Sequence, residues 1–155
     1  MSDTPWLTAD QQHAWRAYLQ AQNRLTAALN RQLQTDSGLS LSDYEVLVHL
    51  TDAADGRSRP YELQRVLGWE QSRLSHHLAR MQKRGLVARN ECHDDGRGAY
   101  VLITDAGRQA ITAAAPRHVD AVRRMFFDHL STEQVTAIAE VSTKVLTRLD
   151  PADPS

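Results

Sequence analysis

The stretch from Pro60 to Ile103 constrains the fold more than any other, although the spacing of its helices alone also fits an ordinary solvated amphipathic helix. Pro60 suits the first position of a short helix over residues 60–67, Leu63, Val66 and Leu67 give it an inner side, and Gly68 ends it. A second helix starts near Glu70, only a few residues later. It runs to Arg84 and stops at Gly85, a good left-handed cap. Residues 86–90 then read as a strand, His93 to Gly98 as a polar loop, and residues 99–103 as a returning strand. Two helices joined by so tight a turn cross at a fixed angle, with the second protruding, as in a helix-turn-helix. The hairpin behind them adds a wing. Residues 56–104 are therefore predicted to form a winged helix-turn-helix able to read double-stranded DNA.

The flanks are helical. Over residues 10–35, Trp15, Tyr18, Leu19, Leu25, Leu29 and Leu33 recur at spacings of three and four. Residues 43–53 form a second helix, with Ser42 and Glu45 as a capping box and Tyr44, Leu47, Val48 and Leu50 on its buried side. Residues 105–129, capped by Thr104 and bent at Pro116, carry a stripe of Ile111, Ala115, Val119, Val122 and Phe126. Ser131 caps a last helix over 132–149. The chain is thus predicted to be one domain, 1–155, mainly α with a small β-hairpin wing (α+β). The helices at both ends are long and apolar for so small a core. They either close a bundle within one chain or, as we favour, pair 10–35 and 105–149 with a second copy in a two-fold dimer.

Charge follows the same division. Residues 56–108 hold ten Lys/Arg against six Asp/Glu, whereas residues 1–55 hold three against seven, in a chain whose net charge is -1. A cationic footprint between less basic flanks suits a polyanion. With 41% apolar and 24% charged residues the chain is neither disordered nor membrane-like. Met1 to Trp6 lacks the basic and apolar regions of a signal peptide. The single cysteine, Cys92, has no internal partner, so a cytoplasmic protein is expected.

Within the second helix, Leu74, Leu78 and Met81 lock against the first. That leaves Gln71, Ser72, Arg73, Ser75, His76, His77 and Arg80 on or near the outer surface, where early residues approach base edges and cations hold phosphates. In the loop Asp94–Gly98, Arg97 stands between glycines, suited to a narrow minor groove. Asp95 can orient it, and Arg89 on the first strand reaches toward the backbone.

Gly85-Leu86-Val87 with Arg89, then Asp95 and Arg97, then Tyr100-Val101-Leu102-Ile103-Thr104 and Gly107 resemble the signature of the MarR family of bacterial regulators. The likeness runs from about residue 12 to 149. It implies a homodimer whose first, fifth and sixth helices interlock, a recognition helix over Glu70–Arg84, and a wing arginine at Arg97 supported by Asp95. It also implies a palindromic operator and, in many members, release from DNA by a small aromatic or phenolic acid. Two positions depart from the pattern. Gly96 stands where a first wing arginine is usual, and His77 where an aliphatic residue is usual, which makes it either a half-buried histidine that packs or a small perturbation of the helix surface.

His13, Trp15, Arg16 and Tyr18 on the first helix, with Tyr44 and His49 on the second, are candidates to line an effector cleft, or else plain core and interface residues. His76 and His77, adjacent on a helix, point about 100° apart and rarely share an ion, so no metal or other cofactor is expected. Cys92 reads as an inert thiol or a redox switch. No nucleophile–base set, phosphate loop or carboxylate pair marks an enzyme. Three readings follow: a repressor released by an aromatic ligand, a DNA-binding regulator without effector, and a helical dimerisation or interaction module that does not bind DNA.

Overall fold

The structure, a computed structural model, describes residues 4–91 and 99–150. Six helices and a three-stranded sheet follow one another: α1 Ala9–Ser37, α2 Leu41–Asp52, β1 Arg57–Ser58, α3 Pro60–Leu67, α4 Gln71–Lys83, β2 Val87–Glu91, β3 Ala99–Ile103, α5 Asp105–Met125 and α6 Thr132–Leu149. The chain divides into two compact units, residues 1–118 and 119–155, so the boundary falls within α5.

In the first unit, Leu33 of α1, Val46, Leu47 and Leu50 of α2, Leu63 of α3, Leu74, Leu78 and Met81 of α4, and Val101 of β3 meet in one buried core. The helix pair forms as its sequence predicts, with Gly68 left-handed (φ 66°) at the end of α3. Val66 does not take part; it is 62% exposed. α3 is only eight residues long, so its core face is narrow: Leu63 fills it and Leu67 packs at its edge.

Two further expectations are corrected. α2 is capped by Ser40, not Ser42. The Ser40 hydroxyl accepts from the Asp43 N–H and the Asp43 carboxylate accepts from the Ser40 N–H, both at 2.9 Å. The cap two residues earlier places Leu39 and Tyr44 as the staple pair, and both are buried. The hairpin also has a third strand: β1 pairs antiparallel with β3 on the side away from β2, with Arg57 opposite Leu102. β2 and β3 pair from Val87–Ile103 to Glu91–Ala99.

α5 leaves the sheet through a fixed corner. The Thr104 hydroxyl donates to the Gly85 carbonyl at 2.5 Å and accepts from the Gly107 N–H at 3.0 Å. A Cβ on Gly107 would collide with the Leu86 carbonyl oxygen and crowd the Ile103 side chain. Gly107→Ala is therefore expected to cost about 1–3 kcal/mol of stability, read as a lower urea midpoint at unchanged slope. An unshifted midpoint would mean that this corner yields freely.

In the second unit α5 ends at Met125, earlier than its apolar pattern suggests, and a separate 3-10 turn follows at Phe127–His129. α6 starts on a capping box of Ser131 and Gln134. None of its residues is buried.

Candidate nucleic-acid interface

α4 is two-faced. Leu74, His77, Leu78 and Met81 are buried, while Gln71, Ser72, Arg73, Ser75, His76 and Arg80 are exposed along the other side. Glu70 takes the cap position in extended backbone and offers no side-chain cap bond, so the first N–H groups of α4 are not satisfied by it. The Arg73 guanidinium lies over the Trp69 ring at 4.2 Å, which holds a flexible cation at the head of the helix.

Beside this face is a cleft of ≈ 340 Å³. Gln71 and Ser75 of α4 line it, with Pro60, Tyr61 and Gln64 of α3, Arg59 ahead of α3, and Arg89 of β2. Arg89, opposite Val101 in the sheet, is exposed. The structure thus brings Arg89 of β2 beside Gln71 and Ser75 of α4. Asp95 and Arg97 lie outside the described residues, as do Cys92 and His93.

Four side chains near this face carry no role in the sequence pattern. Tyr100 on β3 lies against two guanidinium groups, Arg59 at 3.8 Å and Arg57 at 4.5 Å from the ring centroid. Tyr61 at the start of α3 is exposed to the cleft. The signal was available: Arg57 and Arg59 flank a single residue just before a helix that begins with proline. It passed unread because the two-residue strand that presents them was not recognised.

His77 corrects an expectation. It is not on the outer surface but 8% exposed on the inner side of α4. Its Nε2 lies 2.9 Å from the Asp43 Oδ1 as an ion-pair contact, and both atoms are buried and depend on that contact, with no hydrogen bond from elsewhere among the described residues. The ring stands edge-on to Trp69 at 5.4 Å, and Nδ1 lies 3.2 Å from the Arg80 guanidinium. Asp43, itself 2% exposed, also accepts from Arg84 at 2.6 Å. Burial alone would push the Asp43 carboxyl up. The hydrogen bonds from His77, Arg84 and the Ser40 backbone outweigh it and hold the group well below the usual carboxylate range.

The six candidate ligand residues do not converge. Trp15 and Tyr18 are exposed on the first half of α1, their rings 6.0 Å apart. Trp15 and Arg16 border one groove with Trp6, Leu7 and Gln12. His13 and Arg16 border another with Ala17, Gln20, Asn23 and Arg24. Neither takes in Tyr44 or His49. Tyr44 is buried against His118 at 4.3 Å, and His49 is half-buried on α2. The reason is length: α2 packs near Leu33, and at 1.5 Å per residue Trp15 lies roughly 27 Å further along the helix. Among the described residues no group of His, Cys, Asp and Glu could hold a metal ion, and no helix is long and apolar enough to cross a membrane.

A helix-turn-helix backed by a three-stranded wing, with hydrogen-bonding and cationic side chains along its second helix, defines a winged-helix DNA-binding protein. A sequence profile of the MarR family matches residues 37–98. The structure aligns with Sco3205 of Streptomyces coelicolor, a MarR family transcriptional regulator solved in complex with DNA, at a TM-score of 0.91 and 39% identity, covering 98% of this chain and 96% of that one. AbsC, another MarR family regulator from Streptomyces coelicolor, aligns at 0.88 and 37% identity over 94% of this chain and 98% of its own. The transcriptional repressor MprA of Escherichia coli K12 is 23% identical over 135 residues, 87% of this chain and 76% of MprA. The chain belongs to the MarR family of DNA-binding transcriptional regulators.

Proposed function

We propose that the protein is a cytoplasmic homodimeric repressor that binds a palindromic operator and is released from it by a small aromatic ligand. The observation that carries DNA reading is the exposed row Gln71, Ser72, Arg73, Ser75, His76 and Arg80 on α4 beside the Arg89 cleft. Early residues of the row suit base edges, and Arg73, Arg80 and Arg89 suit phosphates. Arg97, with Asp95 orienting it, reaches the minor groove from the wing. Dimerisation is supported by the apolar side chains of α1 and α6 that one chain leaves uncovered. The effector reading is supported by Trp15, Tyr18, His13 and Arg16, which place aromatic rings beside cationic and imidazole groups on one stretch of α1.

One titration tests these together. A duplex carrying the inverted repeat that the protein selects from random DNA is bound at several salt concentrations. Arg73→Ala and Arg97→Ala are each expected to weaken binding about 10-fold or more, as loss of one good contact does. Unchanged binding in both would end the DNA reading of this face. Adding phenolic acids is expected to release the wild-type complex, and failure of every acid tried would leave a regulator without effector.

A further inference from the structure

The structure assigns His77 as a positioning residue that holds Arg80 toward DNA, by linking it to the buried Asp43 carboxylate. This rests on the proposal that the outer face of α4 binds DNA.

The two ring nitrogens of His77 serve different partners. Nδ1 lies 3.2 Å from the Arg80 Nη2. A guanidinium has donors only, so Nδ1 must be the bare, accepting nitrogen. The ring proton then sits on Nε2, which faces the Asp43 Oδ1 at 2.9 Å, and an ionised carboxylate only accepts. Each end of the ring therefore requires the same tautomer. Asp43 is fixed in turn by the Ser40 N–H and by Arg84, whose second nitrogen donates to the Gly38 carbonyl at 3.2 Å. Trp69 packs on the ring from the side. The imidazole is thus held on three sides by α2, α4 and the turn before α4, and its free lone pair emerges where Arg80 begins its exposed course.

An unrestrained arginine on a helix surface samples many rotamers, and ordering it on binding costs affinity. A guanidinium already tethered through one nitrogen keeps its remaining N–H groups for a phosphate oxygen. An aliphatic side chain at this position has no acceptor and could not supply that tether. The ligand class is a duplex phosphate, and the signature is one counterion in the salt dependence.

A double-mutant cycle on the full chain tests this, using the inverted-repeat duplex selected by the wild-type protein. Arg80→Ala is expected to weaken binding several-fold and to reduce the salt slope by about one. His77→Leu, which packs but cannot accept, is expected to reproduce most of both effects. The double variant is expected to bind no worse than Arg80→Ala alone. His77→Gln, a planar group with one donor and one acceptor, is expected to restore most of the affinity and slope. Effects of His77→Leu and Arg80→Ala that multiply, or a slope unmoved by His77→Leu, overturn the proposal. If Arg80→Ala changes nothing while Arg73→Ala still weakens binding, this proposal falls and the DNA-binding face stands. If neither changes binding, the face itself is wrong. Nitrogen NMR of the wild-type ring needs no variant: an Nε2–H tautomer is expected, and an Nδ1–H tautomer overturns the assignment.

Discussion

Asp43→Ala is expected to lower the unfolding free energy by about 3 kcal/mol, the lower end of the cost of removing one partner from a buried ion pair. The lower end applies because Arg84 is 44% exposed in its side chain and recovers water when the carboxylate is gone. His77 does not recover it, since its Nε2 faces no other partner, and the Ser40 N–H loses its capping acceptor as well. Urea unfolding at neutral pH measures the loss. The same carboxylate makes a pH prediction. Its folded-state pKa is depressed below the ordinary carboxylate value, so its contribution is fully present above the unfolded pKa of about 3.9. That contribution is lost as pH falls through the lower folded value, because in that interval the unfolded chain binds a proton that the folded chain does not. Wild-type stability should therefore decline on acidification from about pH 5 downward, and Asp43→Ala should flatten part of that decline. A variant as stable as wild type, with the same acid profile, would sink the view that this network joins α2 to α4.

The helix-turn-helix was legible because its signals are local. Proline at the start of α3, glycine at its end, and Leu74, Leu78 and Met81 at helical spacing all act within a few residues of where they stand. The capping of α2 was not, although it too is local. Ser40 and Asp43 have the same spacing as Ser42 and Glu45, and the choice between them depends on which registration buries Leu39 and Tyr44 together. β1 was illegible for another reason. Two residues have no periodicity, and Arg57–Ser58 becomes a strand only because β3 offers a free edge. The site divides in the same way. The exposed row on α4 follows from helical phase, whereas His77 lies on the buried side of that phase, where its spacing alone leaves both a packed histidine and a surface one open. Its partner Asp43 is distant in sequence, and no local pattern pairs them.

α1 shows the limit of periodicity most clearly. Leu29 and Leu33 are buried, whereas Trp15, Tyr18 and Leu19 on the same helix are exposed. Spacing says which face of a helix is apolar and not which chain covers it.

That distinction sets the other large effect, a monomer on replacing Val141 and Val145 together by aspartate. These two valines of α6 lie one turn apart and are 60% and 51% exposed, with Leu146 and Leu149 more exposed still. An 18-residue helix with no buried residue gains too little from its own hydrogen bonds to persist in water, since helical stability comes mainly from packing an apolar face. On the dimer proposal a second copy supplies that packing, and two carboxylates placed in the interface would each have to be desolvated without a partner. Sedimentation is expected to report the monomer mass. Affinity for the inverted repeat is expected to fall by about 10²–10⁴, because the second half-site is then no longer reached at the high effective concentration that linkage provides. Affinity for one isolated half-site should change little, since α3, α4 and the sheet belong to the first unit. A variant that still sediments as a dimer with full affinity would exclude α6 from the interface and move the two-fold contact to the exposed aromatic stretch of α1.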